Sequence, residues 1–126
     1  MSNEIYSSIY KEIIEDPKVQ AVSKLGNCRN WTRETILALR RISTINNLNL
    51  SVEARETDIE PSLSHTFVRF FIDEEPVYIF DGTGVGFFDP YFGPENEAPE
   101  HLRNSRYDMI NYYLRNNANS STRCIE

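Results

Sequence analysis

Cys28, His65 and Asp81 are, by type and order, residues that together can activate a thiol. Sulfur attacks as thiolate, and a free cysteine with a pKa near ~8.5 holds little of it at neutral pH. Two devices lower that value. A helix N-terminus presents unpaired N–H groups and about half a positive charge. A histidine can take the proton and remain paired as imidazolium. The segment NCRNWT puts Cys28 in the first turn of a helical pattern, with Asn27 a good N-cap type. The chain has two histidines, His65 and His101. His65 heads an apolar strand-like run, whereas His101 follows ENEAPE and reads as a surface helix start. A third group has to orient the imidazole, and Asp81, sixteen residues after His65, is the candidate. The alternative for Cys28 is a plain core cysteine, since free cysteine is among the most buried residue types.

The elements that must position these groups follow from hydrophobic spacing. Asn3 to Asp16 reads as a helix, with Ile5, Ile9 and Ile13 flanked by Tyr6 and Tyr10. Pro17 stops it or starts the next, a short element from Lys18 to Leu25 that Gly26 ends. From Cys28, a stripe of Trp31, Thr35, Ala38 and Ile42 defines a longer helix. Leu48, Leu50, Val52 and Ala54 alternate as a strand, and TDIEPSLS (57–64) reads as a loop. HTFVRFFID (65–73) and VYIFD (77–81) are strands joined by turn chemistry, a β-hairpin. A three-residue loop at 73–75 pairs Phe67 with Asp81 and puts His65 and Asp81 on one sheet face. A loop of two or four residues puts them on opposite faces. FFDPYFGPENEAP reads as irregular, a lid or packed core, and residues 101–115 have helical spacing. The order implies an α+β fold, with helices first, then an antiparallel sheet of three strands, then a terminal helix.

Other groups carry less chemistry. Trp31, one turn after Cys28, is a substrate wall or a core residue, and Gly82 opens the turn after Asp81. Asp89 in FFDPYFG is a second choice for the orienting acid, but Asp-Pro is a common turn starter. GTGVG is not a phosphate loop, because no Lys-Ser/Thr follows it. His101, Cys124 and the nearby acids have no metal-ligand spacing, so no metal or cofactor is expected. Asp73, Glu74 and Glu75 read as a solvated hairpin tip.

Composition bounds the function. The length suits one domain, 1–126, with a polar tail at about 117–126. A net charge of −6 argues against nucleic acid, which needs clustered Lys and Arg, and leaves small molecules or neutral to basic proteins as partners. No apolar run has membrane-span length, and the acidic start MSNEIYSSIYKEIIED is not a secretory signal. A cytoplasmic setting is expected, and with it two reduced cysteines rather than a Cys28–Cys124 bridge. Oligomeric state is not legible.

With NCRNWT at a helix start, HTFVRFF as a histidine strand and YIFDGTG as an aspartate strand, the chain resembles the papain-like/transglutaminase-like superfamily of cysteine enzymes. It is most similar in pattern to the papain-fold toxin domains related to glutamine deamidases, over about residues 20–95. The resemblance implies a papain-like minimal core, with Cys28 as nucleophile, His65 as base and then acid, and Asp81 as the orienting carboxylate. It implies attack on a protein or peptide carboxamide through a thioester, with glutamine deamidation favoured. It also implies a toxin or effector context, with delivery to a target cell by a non-classical route. An oxyanion hole would use the Cys28 N–H. Gln20, eight residues upstream, and Asn27 are the candidates for its second donor, although VQAVSKLGNC departs from the papain glutamine pattern. Two other readings stay open: a catalytically silent papain-like binding or adaptor module, and a cysteine peptidase or peptidoglycan amidase with the same triad.

Overall fold

The computed structural model describes residues 2–23, 28–61, 63–84, 88–108 and 110–111. Three helices come first: α1 (Ser2–Ile14), α2 (Pro17–Ser23) and α3 (Cys28–Ile45). Strands β1 (Leu50–Glu60), β2 (Leu63–Ile72), β3 (Tyr78–Asp81) and β4 (Tyr91–Pro94) follow. A 3-10 turn (Glu95–Glu97), the short α4 (Glu100–Arg103) and β5 (Arg106–Tyr107) come last. The sheet is antiparallel throughout, in the order β4-β3-β2-β1-β5. The fold is α+β, as the pattern of elements implies. No helix among the described residues is long and apolar enough to cross a membrane.

Pro17 acts as a starter. Its missing N–H costs nothing at the first helical position, and Asp16 Oδ1 accepts from the N–H groups of Lys18 (2.8 Å) and Val19 (3.4 Å). On α1, Tyr6, Ile9 and Ile13 are buried, one face of a helix at spacings of three and four. Tyr6 stacks on Tyr78 at 3.8 Å and its hydroxyl donates to Pro76 O at 2.6 Å, fastening α1 to the β2–β3 turn. The buried stripe of α3 contains Trp31, Thr35, Ala38 and Ile42, together with Cys28, Ile36 and Leu39. This helical layer packs on Val68, Phe70 and Ile72 of β2 and on Tyr78 and Phe80 of β3. Side chains alternate along a strand, so Phe67 and Ile79 point the other way, into a smaller core with Ala98 and Leu102.

Three expectations need correction. Residues 57–64 are not a loop: β1 runs on to Glu60 and β2 starts at Leu63, with Thr57 opposite His65 and Asp58 opposite Ser64. Polar residues hide this extension, because backbone pairing, not side-chain burial, makes it. FFDPYFGPENEAP is not wholly irregular. Tyr91–Pro94 pairs with β3 as the outermost strand of the sheet, where flanking prolines are tolerated. Residues 101–115 are not one helix: α4 gives way to β5, which pairs with Arg55 and Glu56. Residues 112–126, including the polar tail, lie outside the described residues, as do Gly26 and the Asn27 cap.

Candidate active site

The β2–β3 register decides whether His65 can meet Asp81. Val68 pairs with Phe80, Arg69 with Ile79 and Phe70 with Tyr78. This is the parity of a three-residue loop at 73–75, which Glu74 closes at φ +65° and Glu75 N–H closes onto Ile72 O at 2.8 Å. Continued, the ladder sets Phe67 opposite Asp81. His65 and Asp81 therefore share a face, and His65 Nε2 lies 2.9 Å from Asp81 Oδ1. Both side chains are fully buried.

Asp81 ends β3 and also holds the turn that follows. Its Oδ1 accepts from Thr83 N–H (3.3 Å) and Gly84 N–H (3.1 Å). Gly84 sits at φ +65°, which favours glycine. The His65 contact is close but out of line for a hydrogen bond: both ring nitrogens, and Asp81 Oδ2, have no hydrogen-bond partner among the described residues. Buried polar groups in native proteins are nearly always paired. An imidazole and a carboxylate held together in this state are polar groups with bonding capacity to spare.

Cys28 opens α3 on the opposite layer and is fully buried. Its Sγ accepts from Thr66 N–H at 3.4 Å, so the sulfur lies against the peptide group that joins His65 to Thr66. The β2–β3 ladder has ended by this point, its last pair being Val68 with Phe80. Cys28 is disulfide-bonded in this structure. The expectation of a reduced thiol is thus not met, because the argument from compartment says nothing about geometry. Cys124 lies outside the described residues.

A buried network fixes the sulfur to the strand. Asp108 Oδ1 accepts from Arg29 Nη2 (2.7 Å) and Ile110 N–H (2.7 Å), while Oδ2 accepts from Thr66 Oγ1 (2.8 Å). Arg29 follows Cys28 and Thr66 follows His65, so one carboxylate ties together the two segments that carry them. Asn111 holds Asp108 O and both backbone groups of Ala54. Sequence reasoning missed this network, since a lone Asp in RYDMIN has no local signal.

A cavity of about 530 Å³ is lined by Gln20, Trp31, Asp81 and Gly82, with Tyr91 and Phe92 among the rest; the Asp81 carboxylate itself lies with His65 on the Phe67–Ile79 face of the sheet. Four of the sequence-derived site residues thus meet here. Trp31 is both wall and core: it is 2% exposed and meets Phe80 edge-on at 5.0 Å. Gln20 Nε2 donates to Ile14 O at 3.0 Å, so the amide is turned onto the end of α1. Asn27 lies outside the described residues.

Gly82 is required by close approach. A Cβ there would run into the indole ring of Trp31 at Cζ2. Gly82→Ala is expected to cost about 1–3 kcal/mol of stability through overpacking, read by thermal unfolding and by a shift in tryptophan emission.

His101 belongs near this site rather than on an open surface. Its ring lies against that of Phe88, tilted by 33° with centroids 3.9 Å apart, and both nitrogens are buried without partners among the described residues. Burial pushes its pKa below the usual histidine value. Asp81 opposes that shift and His65 adds to it. The unfolded chain therefore binds this proton at higher pH than the folded one. The stability from neutral His101 is full above about pH 6.5 and is lost as pH falls through the lower folded value. Denaturant unfolding at pH 7.5 and pH 5 should show this loss, and His101→Gln should reduce it.

Among the described residues, no group of three or more His, Cys, Asp or Glu side chains is placed to hold a metal ion. No family model matches the chain, and neither a curated protein nor a solved structure matches it.

Proposed function

We propose that the reduced protein is a cysteine-dependent amide hydrolase acting on protein or peptide carboxamides, with glutamine as the favoured residue. One observation carries this reading: a buried His65–Asp81 contact with unused bonding capacity, beside the peptide group on which Cys28 Sγ rests. With Nε2 against Asp81, Nδ1 is the nitrogen left for the thiol proton.

Reduction of the disulfide by an external thiol reductant comes first and supplies two electrons and two protons. His65 then takes the Cys28 proton, and the thiolate attacks the carboxamide carbon. The C–N bond breaks as the imidazolium protonates the leaving nitrogen, ammonia departs, and a thioester remains. Water, deprotonated by His65, attacks the thioester. The C–S bond breaks, giving the product carboxylic acid and the regenerated thiol. The Cys28 N–H at the start of α3 would supply one oxyanion donor, and a rotated Gln20 amide is the candidate for the second.

The test is ammonia release from a glutaminyl peptide, measured with and without dithiothreitol. Release that needs the reductant and is abolished in Cys28→Ser supports the reading. No release from the reduced, folded protein overturns it. A second reading, a binding module without turnover, is favoured by the disulfide on Cys28 and by the engagement of Gln20 with Ile14.

A further inference from the structure

A second cavity, of about 490 Å³, opens on the Phe67–Ile79 face of the sheet and has no part in the proposed hydrolysis. It is lined by Arg55, Arg69, Glu95, Asn96, Arg103 and Ser105. Arg55 stands opposite Phe67 and Arg69 opposite Ile79, and residues paired across antiparallel strands share a face. The 3-10 turn supplies Glu95 and Asn96, α4 ends at Arg103, and Ser105 precedes β5. Segments distant in sequence thus bring three guanidinium groups to one cavity.

Two of the three are held in place. Arg69 Nε and Nη2 donate to the two oxygens of Glu95 at 2.6 and 3.3 Å, and Nη1 donates to Glu53 Oε1 at 3.4 Å. Arg55 Nη1 donates to the same Glu53 oxygen at 3.1 Å, and its Nε to Ser105 Oγ at 3.1 Å. Both side chains still reach solvent, Arg55 being 21% and Arg69 30% exposed. A guanidinium has five N–H donors, so each keeps some to spare. Arg103 is the unbalanced member. It is exposed, its Nε donates to Ala98 O at 2.8 Å, and among the described residues no carboxylate pairs with it. Three guanidinium groups therefore meet two carboxylates, Glu53 and Glu95, and both carboxylates are already taken by arginine. The surplus is one positive charge, on a chain whose net charge is −6.

We propose that this cavity binds a single carboxylate of a peptide or protein partner, an acidic side chain or a free C-terminus, with Arg103 as its anchor. A planar guanidinium matches a carboxylate through two parallel N–H···O bonds. Arg55 and Arg69 are already ordered, so little side-chain freedom is lost when a ligand arrives. A surplus of one charge suits a monoanion. A dianionic phosphate or a polyanion would bring more negative charge than the cavity can balance, against the field of an acidic chain. Binding here needs neither Cys28 nor His65, so it stands apart from the hydrolase reading.

The test is an NMR titration of the isotope-labelled full chain in its oxidised form, in which Cys28 cannot react. The probes are acetyl-Ala-Glu-Ala-amide, its neutral isostere acetyl-Ala-Gln-Ala-amide, acetyl-Ala-Ala-Ala with a free C-terminus, and inorganic phosphate. The glutamate peptide should shift the backbone amides of Asn96 and Ser105 and the Nε signals of Arg69 and Arg103. It should bind about tenfold tighter than the glutamine peptide. Arg103→Gln should abolish that preference. Arg40→Gln, which removes an exposed charge from α3 on the other side of the sheet, should leave it intact. Tighter binding of the glutamate peptide assigns the carboxylate to a side chain, and tighter binding of the free-C-terminus peptide assigns it to a chain end. Equal affinity for the glutamate and glutamine peptides, an equal effect of Arg103→Gln and Arg40→Gln, or no shift at these four residues with any probe would overturn the proposal. Phosphate binding tighter than either carboxylate would overturn the choice of ligand.

Discussion

Asp108→Ala is expected to lower the unfolding free energy by about 3–5 kcal/mol, the cost of leaving a buried charge without its partner. Asp108 is fully buried and Arg29 is 12% exposed, so little water is at hand to replace the lost carboxylate. The same change strips acceptors from Thr66 Oγ1 and Ile110 N–H. Urea denaturation followed by circular dichroism measures the loss. The double variant Arg29→Met, Asp108→Leu removes both charges and should lose much less than Asp108→Ala alone. If the single and double variants lose the same amount, Asp108 matters for packing and not as the partner of Arg29. Because the carboxylate ties the start of α3 to the strand residue after His65, Asp108→Asn should also slow hydrolysis without changing which groups react.

His65→Ala is expected to lower kcat for peptide amide hydrolysis by about 10²–10⁴-fold, the range lost with a general acid–base. Asp81→Asn separates orientation from fold. Asparagine keeps the oxygen that accepts from Thr83 and Gly84 N–H, so the turn should persist while the charge facing His65 disappears. A drop of about a hundredfold or more in kcat, with an unchanged melting profile, would assign Asp81 to the imidazole. A variant that only melts earlier would assign it to the turn. Both variants must be assayed under reduction, since Cys28 is disulfide-bonded in this structure.

The part of the site that was legible in the sequence lay in one hairpin. Loop length fixes parity, and parity alone puts His65 and Asp81 on a common face, where the structure has them 2.9 Å apart. The start of α3 at Cys28 was likewise readable from its apolar stripe. What escaped was non-local. The β1–β2 ladder continues through Thr57 and Asp58 because backbone groups pair there, and polar side chains leave no periodic trace of it. It sets His65 within β2, opposite Thr57, and not at its head. Asp108 acts across 79 residues on Arg29 and 42 on Thr66, distances at which no spacing rule operates. The position of His101 near the pair depends on how α4 folds back beneath the sheet, a placement set by Phe67, Ile79 and Leu102 and not by its own neighbours.

The central claim is a thiolate–imidazolium pair between Cys28 and His65, and the pH dependence of Cys28 alkylation tests it most directly. The reduced, folded protein carrying Cys124→Ser is treated with iodoacetamide across a pH series, beside the same protein with His65→Ala. The account predicts fast reaction well below about pH 7, lost in the His65→Ala variant. Reaction only above about pH 8, or only after unfolding, would contradict it and leave Cys28 an ordinary buried thiol.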